Sequence, residues 1–60
     1  MNLKKIMDRK GLTILELHEL SGVSKNMIIR IRKGYKKYKP VTLWKLANAL
    51  GVDAKEIENE

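Results

Sequence analysis

Four glycines constrain the fold of this chain more than any other feature of its sequence. Each follows a stretch in which apolar residues recur at helical spacing, and glycine readily adopts the left-handed conformation that ends a helix. The glycines are Gly11, Gly22, Gly34 and Gly51. Pro40, the one proline, suits the first position of a helix. The pattern predicts an all-α chain of five helices, near residues 3–10, 14–21, 25–33, 40–50 and 54–58.

Helix starts are marked as clearly as helix ends. Three times an apolar residue precedes a capping residue and a second apolar residue lies four positions into the helix, as in a hydrophobic staple. The three sets are Leu12, Thr13 and Leu17; Val23, Ser24 and Ile28; and Val52, Asp53 and Ile57. Glu16 and Glu56 follow Thr13 and Asp53 at the spacing of a capping box.

The apolar residues at helical spacing are expected to meet in one core. They are Leu3, Ile6, Met7, Leu17, Leu20, Ile28, Ile31, Leu43, Leu46, Ala47 and Leu50. A chain of 60 residues is expected to make a single domain over residues 1–60. Such a domain buries only about 60% of the surface that its unfolded chain exposes, so every apolar position counts.

Composition excludes several function classes. The chain has no cysteine and one histidine, so we expect no disulfide, no metal site and no cofactor. Its carboxylates are scattered and no nucleophile has an obvious base, so we predict neither catalytic residues nor an enzyme. No segment approaches the roughly 20 apolar residues of a membrane span, and the N-terminus lacks a signal peptide's apolar run. We expect a cytoplasmic protein without a membrane partner or a small-molecule ligand.

Positive charge is concentrated in one segment. Residues 24–40 contain seven of the 13 basic residues and none of the seven acidic ones, so this segment accounts for the net charge of +6. Such a stripe is the electrostatic footprint of a protein that binds a polyanion.

The third predicted helix places polar side chains opposite its apolar side. At about 100° per residue, Ile28 and Ile31 point to one side of this helix. The residues on the other side or its flank are Lys25, Asn26, Ile29, Arg30 and Lys33. Lysine and arginine can bond guanine, asparagine can bond adenine, and an isoleucine can touch a thymine methyl group. A solvated helix face is the alternative, but it does not explain why an isoleucine and no acid lies among the cations.

The sequence also resembles the Cro/CI-type helix-turn-helix family, called the XRE or lambda-repressor-like family. The resemblance lies in Lys10 to Thr13, in Leu17 to Ser24, in Ile28, Arg30, Ile31 and Gly34, and in Thr42 to Val52. It implies a compact five-helix domain whose helix-turn-helix spans about residues 14–33. It also implies a bacterial or phage DNA-binding transcription regulator, either a repressor, which we favour, or an activator, that binds a double-stranded operator as a homodimer.

In such complexes the third helix enters the major groove and its first residues read bases. The resemblance therefore implies base reading by Lys25, Asn26 and Arg30, with Ile29 as a further candidate. It places phosphate binding at Thr13 and Ile14, where the second helix starts. Because the family usually has glutamine where this chain has Ile14, the backbone amides and the helix dipole would hold the phosphate here.

The segment from Gly34 to Lys39 places tyrosine rings among ammonium groups. On a duplex, the basic side chains and a tyrosine hydroxyl would bind phosphates. The candidates are Lys33, Tyr35, Lys36, Lys37 and Lys39. On a single strand the rings would stack on bases, and either Tyr35 or Tyr38 can instead pack on the core. We favour the duplex because a helix-turn-helix precedes this loop.

Three residues leave alternatives open. His18 stands where the family favours alanine, and it is either a packing residue or a pH-sensitive group. Trp44 lies beside the apolar stripe of its helix and is either at the edge of the core or a dimer contact. Leu15, where the family prefers a polar residue, is a second candidate dimer contact. These residues also support an alternative function, a protein-interaction module such as an antitoxin or adaptor with the same fold.

Overall fold

Five α-helices follow one another in the computed structural model, which describes residues 2–58. The helices are α1 (Asn2–Lys10), α2 (Ile14–Ser21), α3 (Lys25–Arg32), α4 (Pro40–Leu50) and α5 (Ala54–Glu58). The all-α prediction is confirmed. Each predicted helix end lies within one residue of the observed one, because the caps that set these ends are local features of the sequence.

The predicted capping residues begin three of the helices. At the start of α2, the Glu16 amide donates to Thr13 Oγ1 at 3.1 Å and the Thr13 amide donates to Glu16 Oε1 at 2.9 Å, which completes a capping box. Ser24 Oγ accepts from the Met27 amide at 3.2 Å and caps α3. At the start of α5, the Asp53 amide donates to the Glu56 side chain at 3.3 Å.

A glycine follows the end of each of the first four helices and has a positive φ. Gly22, which caps α2, has φ 76° and ψ 4°, the left-handed conformation. Gly34 lies one residue further from its helix, because Lys33 still has right-handed helical geometry as the cap of α3. The predicted stops are therefore correct, and the Gly34 amide still bonds the last turn of α3 by donating to the Ile31 carbonyl oxygen at 3.0 Å.

The helices enclose a single core of apolar side chains. Its buried members are Leu3, Ile6, Met7, Leu17, Val23, Ile28, Ile31, Leu43, Leu46, Ala47, Leu50 and Ile57. No polar or charged side chain is buried among the residues whose burial is described. The staple residues Leu12 and Val52 pack partly buried against this core, beside the buried staple residues Leu17 and Ile57.

The prediction that Leu20 belongs to the core is wrong, because 62% of its surface is exposed. The inward stripe of α2 runs through Ile14, Leu17 and Ser21, at the i, i+3 and i+7 spacing of one helix face. Ser21 takes the inward position at the end of this stripe and donates to the Leu17 carbonyl at 2.6 Å. Leu20 therefore falls outside the covered face.

The way in which the helices pack leaves one side of α3 uncovered. The closest pairs of helices are α2 with α3 and α4, α1 with α3 and α5, and α4 with α5. Helix α3 therefore rests on α1 and α2 through its apolar side. None of the helices within residues 2–58 has the length and apolar character that crossing a membrane requires.

Candidate nucleic-acid interface

The turn between α2 and α3 is held by two side chains of α2, Ser21 and His18. Ser21 Oγ accepts from the Val23 amide at 3.1 Å while it donates to the last turn of α2. The half-buried His18 ring places Nδ1 2.7 Å from the Val23 carbonyl oxygen. Because a carbonyl oxygen only accepts, Nδ1 carries the hydrogen in this contact. These bonds fix the angle at which α3 leaves the turn.

Helix α3 separates a buried side from an exposed one, as the sequence predicts. Ile28 and Ile31 are buried in the core. Lys25, Asn26 and Arg30 are exposed on the rest of the helix surface. Ile29 is exposed as well, so all four candidate base-reading side chains are accessible from solvent.

Ile29, the fourth candidate, is the least accessible of them, with 36% of its surface exposed. It helps to line an open groove of about 400 Å³ between α1, α2 and α3. The other residues of this groove are Lys4, Ile14, Arg32 and Lys33. Its apolar floor is thus bordered by three cations.

The start of α2 lies beside this groove. Thr13 is exposed and Ile14 is half-buried against the core. Sequence reasoning did not select Lys4 or Arg32, which share the groove with Ile14 and Lys33. Arg32 lies within the basic segment and was available from the charge pattern, whereas Lys4 belongs to α1 and only the packing of helices places it here.

The Arg30 side chain has a partner at the end of its own helix. Its guanidinium carbon lies 5.8 Å from the centre of the Tyr35 ring, within the range of a cation–π contact. The Tyr35 hydroxyl donates to the Lys37 carbonyl oxygen at 3.3 Å. Sequence analysis did not anticipate this contact, although the spacing of Arg30, Gly34 and Tyr35 around the helix end was a usable signal.

The basic loop after α3 exposes its lysines, whereas both of its tyrosines are half-buried. Lys36, Lys37 and Lys39 are exposed, and so is Lys33 at the end of α3. Tyr38 packs partly buried against the core. Burial raises the pKa of the Tyr38 hydroxyl above its usual value, and the Glu58 carboxylate adds to the rise. Of the alternatives that the sequence left open for Tyr38, packing on the core is the one observed.

The match to a family model decides the classification of this chain. A helix-turn-helix model of the Cro/C1 type covers residues 3–57, which include all five helices apart from single terminal residues. The chain belongs to the Cro/C1-type helix-turn-helix family. Proteins of this family are DNA-binding regulators rather than enzymes. No curated protein and no solved structure matches the chain.

Exposed apolar residues also lie outside the basic segment of this Cro/C1-type domain. Leu15 on α2 exposes 52% of its surface and Trp44 on α4 exposes 60%. Val41, one helical turn before Trp44, exposes 47%. Trp44 also borders an open groove of about 460 Å³, together with Lys36, Tyr38, Pro40, Leu43 and Glu58. Trp44 therefore exposes most of its surface beside this groove.

The described part of this Cro/C1-type chain holds no cluster of metal ligands. Across residues 2–58, no three histidine, cysteine, aspartate or glutamate side chains lie close enough together to hold an ion. What the surface does offer is a row of hydrogen-bond donors on α3, followed by a loop of ammonium groups. Donors of this kind suit base edges and phosphates.

Proposed function

We propose that this protein is a sequence-specific transcription regulator that binds duplex DNA and reads the major groove with α3. The observation that carries the proposal is the position of Lys25, Asn26 and Arg30, which are exposed on the helix that buries Ile28 and Ile31. A helix of this kind fits the major groove, whose width of about 12 Å admits an α-helix.

The exposed side chains of α3 match the chemistry of base edges. Lys25 and Arg30 donate to the O6 and N7 acceptors of guanine, and Asn26 forms a pair of hydrogen bonds with adenine. Ile29 contributes an apolar contact for a thymine methyl group at the edge of its groove. Residues near the start of α3 and one turn later thus read successive base pairs.

Phosphate contacts would fix the position of the domain on the duplex. The first amides of α2, at Ile14 and Leu15, lack acceptors within the helix and lie at the positive end of its dipole. Thr13 accepts from Glu16 and keeps its hydroxyl hydrogen for a phosphate oxygen. Lysine side chains complete this set, at Lys33, Lys36, Lys37 and Lys39. Tyr35 is a weaker candidate, because its hydroxyl hydrogen already bonds Lys37.

We further propose that the protein acts as a repressor and binds DNA as a homodimer. A dimer whose two copies of α3 lie about 34–36 Å apart would meet two half-sites one helical turn apart. Leu15 and Trp44 are the candidate dimer contacts, because both expose apolar surface away from α3. A protein held on an operator in this way blocks access to the promoter that overlaps it.

Selection of bound sequences from a random duplex pool tests the whole proposal. We expect enrichment of a two-fold symmetric sequence in which half-site centres are about 10 base pairs apart. Recovery of unenriched sequence, together with equal binding of all duplexes, would refute sequence-specific recognition. An enriched sequence without symmetry would refute the dimer and leave base reading standing.

Two variants separate base reading from phosphate binding. Asn26→Ala is expected to lower the preference for the selected duplex over a random one by about 1–3 kcal/mol. Lys37→Ala is the matched control, since it should weaken both duplexes equally. Equal losses on the two duplexes for both variants would contradict this division of roles.

A protein-interaction module, such as an antitoxin or adaptor, is the second candidate function. The exposure of Leu15 and Trp44 favours it, because exposed apolar surface at such positions can hold a partner. A partner that co-purifies with the native protein, but not with Trp44→Ala, would support this function if no duplex is bound at low salt. Binding of duplex DNA with sequence preference would exclude it as the main function.

A further inference from the structure

We infer that Tyr35 is a positioning residue that sets the base specificity of Arg30. The Tyr35 ring holds the Arg30 guanidinium on the exposed side of α3 before DNA arrives, and the edge of the guanidinium then reads guanine. The inference rests on the proposed function, and it adds a residue outside α3 to the determinants of specificity.

The end of α3 brings these two residues together through the backbone. The Tyr35 amide donates to the Arg30 carbonyl oxygen at 3.0 Å and the Gly34 amide donates to the Ile31 carbonyl oxygen at 3.0 Å. This is the bonding pattern of a Schellman motif, in which the residue after the glycine returns to the residue five positions earlier. The pair that usually makes a hydrophobic contact in this motif is here an arginine and a tyrosine.

Gly34 makes this return possible. Its φ of 105° is a conformation that residues with a Cβ adopt only with strain. Because the chain turns back at this residue, the Tyr35 ring lies beside the outward side of α3 and does not continue away from it.

The far end of the ring is held as well. The Tyr35 hydroxyl donates to the Lys37 carbonyl oxygen at 3.3 Å, and the Tyr35 amide bonds the last turn of α3. The ring is therefore tied at its backbone and at its hydroxyl, so its face is a fixed surface for the guanidinium, 5.8 Å from its centre.

Stacking suits the role of Arg30 because it uses the face of the guanidinium and leaves the edge available. The N–H donors of arginine lie in the plane of the group, and bidentate recognition of guanine needs this plane to be aligned with the base. A free arginine loses rotamer freedom when it binds, and prior stacking reduces this loss. No acidic residue lies within residues 24–40 to draw the guanidinium elsewhere along this segment.

The rival role for Tyr35 is the phosphate contact that the sequence predicted. In that role the hydroxyl matters and the ring does not. Removing the hydroxyl then weakens binding to all duplexes equally. In the positioning role the ring matters and the hydroxyl is secondary. Removing the ring then lowers the affinity for duplexes that have guanine opposite Arg30. The two roles therefore differ in both the variant and the duplex that reveal them.

The experiment measures the affinity of the intact chain for two duplexes. The first is the sequence most enriched from the random pool. The second is identical except at one guanine, the one that the native protein prefers and Arg30→Ala does not, which is replaced by another base. We expect Tyr35→Leu to weaken binding to the first duplex about two- to five-fold, the range of an exposed cation–π contact, and to leave the second unchanged. Tyr35→Phe, the matched control, should bind both duplexes nearly as the native protein does.

A double-mutant cycle completes the test. In the Arg30→Ala background, Tyr35→Leu should have no further effect on either duplex, because the guanidinium it positions is gone. Equal losses on the two duplexes, an additive double mutant, or a Tyr35→Phe variant as weak as Tyr35→Leu would each overturn the inference. None of these results would contradict the proposed function, which is refuted only if the native protein binds all duplex sequences equally.

The native protein provides a check that does not depend on a variant folding. Nuclear Overhauser contacts between the Arg30 δ protons and the Tyr35 ring protons are expected in the free protein and in the complex with the selected duplex. Loss of these contacts in the complex would overturn the inference even if Tyr35→Leu proved too unstable to study.

Discussion

At the scale of single residues, His18 links α2 to the turn of the helix-turn-helix. Its Nδ1 lies 2.7 Å from the Val23 carbonyl oxygen and donates a hydrogen bond to it. We expect His18→Val to lower the free energy of unfolding by about 1 kcal/mol, the usual net contribution of such a bond. Urea denaturation at neutral pH measures this difference.

His18→Asn is the matched control for this change. Asparagine has about the same helix propensity as histidine and valine, and its amide can donate near the position of Nδ1. It should therefore retain most of the stability that His18→Val loses. If the two variants are equally stable, the bond to Val23 does not contribute to folding.

Tyr38 gives the stability a pH dependence in the alkaline range. Burial, aided by the Glu58 carboxylate, raises the native pKa of Tyr38 above its ordinary 10.0. The native state thus favours the protonated hydroxyl. The stability linked to this proton is complete below the pKa that Tyr38 has in the unfolded state, and it is lost as the pH rises through the pKa of Tyr38 in the native state. Between about pH 9 and about pH 11, the native protein should therefore lose more unfolding free energy than Tyr38→Phe.

Urea denaturation of both proteins at the two pH values measures this difference. Lysine titration affects the native protein and the variant alike, so it cancels in the comparison. Parallel losses in the two proteins would show that Tyr38 does not titrate differently in the native and unfolded states.

At the scale of secondary-structure elements, the turn between α2 and α3 depends on the backbone of Gly22. Its φ is 76°, and, its two chain neighbours aside, no residue has an atom within 4 Å of the position that a Cβ would occupy. A substitution there meets no steric obstacle, so its cost comes from the left-handed backbone. We expect Gly22→Ala to destabilise the protein by about 1–2 kcal/mol. The midpoint of thermal unfolding should fall by about 4–8 °C for each kcal/mol.

Gly22→Asn is the control for this argument, because asparagine tolerates the left-handed conformation better than alanine does. Its unfolding midpoint should lie between those of the native protein and Gly22→Ala. A ranking in which asparagine is the worse substitution would indicate that something other than backbone conformation limits this position.

At the scale of the whole molecule, the concentration of charge predicts a strong response to salt. If the basic segment makes about six phosphate contacts, the logarithm of the affinity should fall with the logarithm of the salt concentration with a slope near −5. Lys37→Ala should reduce the magnitude of this slope by about 1. Titration of a duplex at several salt concentrations measures the slope.

Lys55→Ala is the control for this effect. Lys55 is also exposed, but it lies on α5, outside the basic segment. Its removal changes the net charge as much as Lys37→Ala does, and it should leave the slope unchanged. Equal changes for the two variants would mean that net charge, and not the basic stripe, governs binding.

The five helices, their ends and the positive charge on the exposed surface of α3 were predictable from the sequence. These features depend on interactions between neighbours within one or two helical turns. Examples are the capping box of Thr13, the positive φ at Gly22 and the alternation of apolar and polar residues around α3. Local interactions of this kind are readable from spacing. Leu20 was misplaced because neighbouring residues lie about 100° apart around a helix, and the packing of α2 turned Ser21 toward the core in its place.

Which side chains from distant segments meet depends on how the helices pack. Helix packing brings Lys4 of α1 to the groove of Ile14 and Ile29, and leaves most of the Trp44 surface exposed beside a second groove. The path of the loop similarly places Tyr35 against Arg30 and Tyr38 against the core. Periodicity shows which way a side chain points from its own helix, but its neighbour depends on how separate helices cross, and that follows from the packing of the whole core.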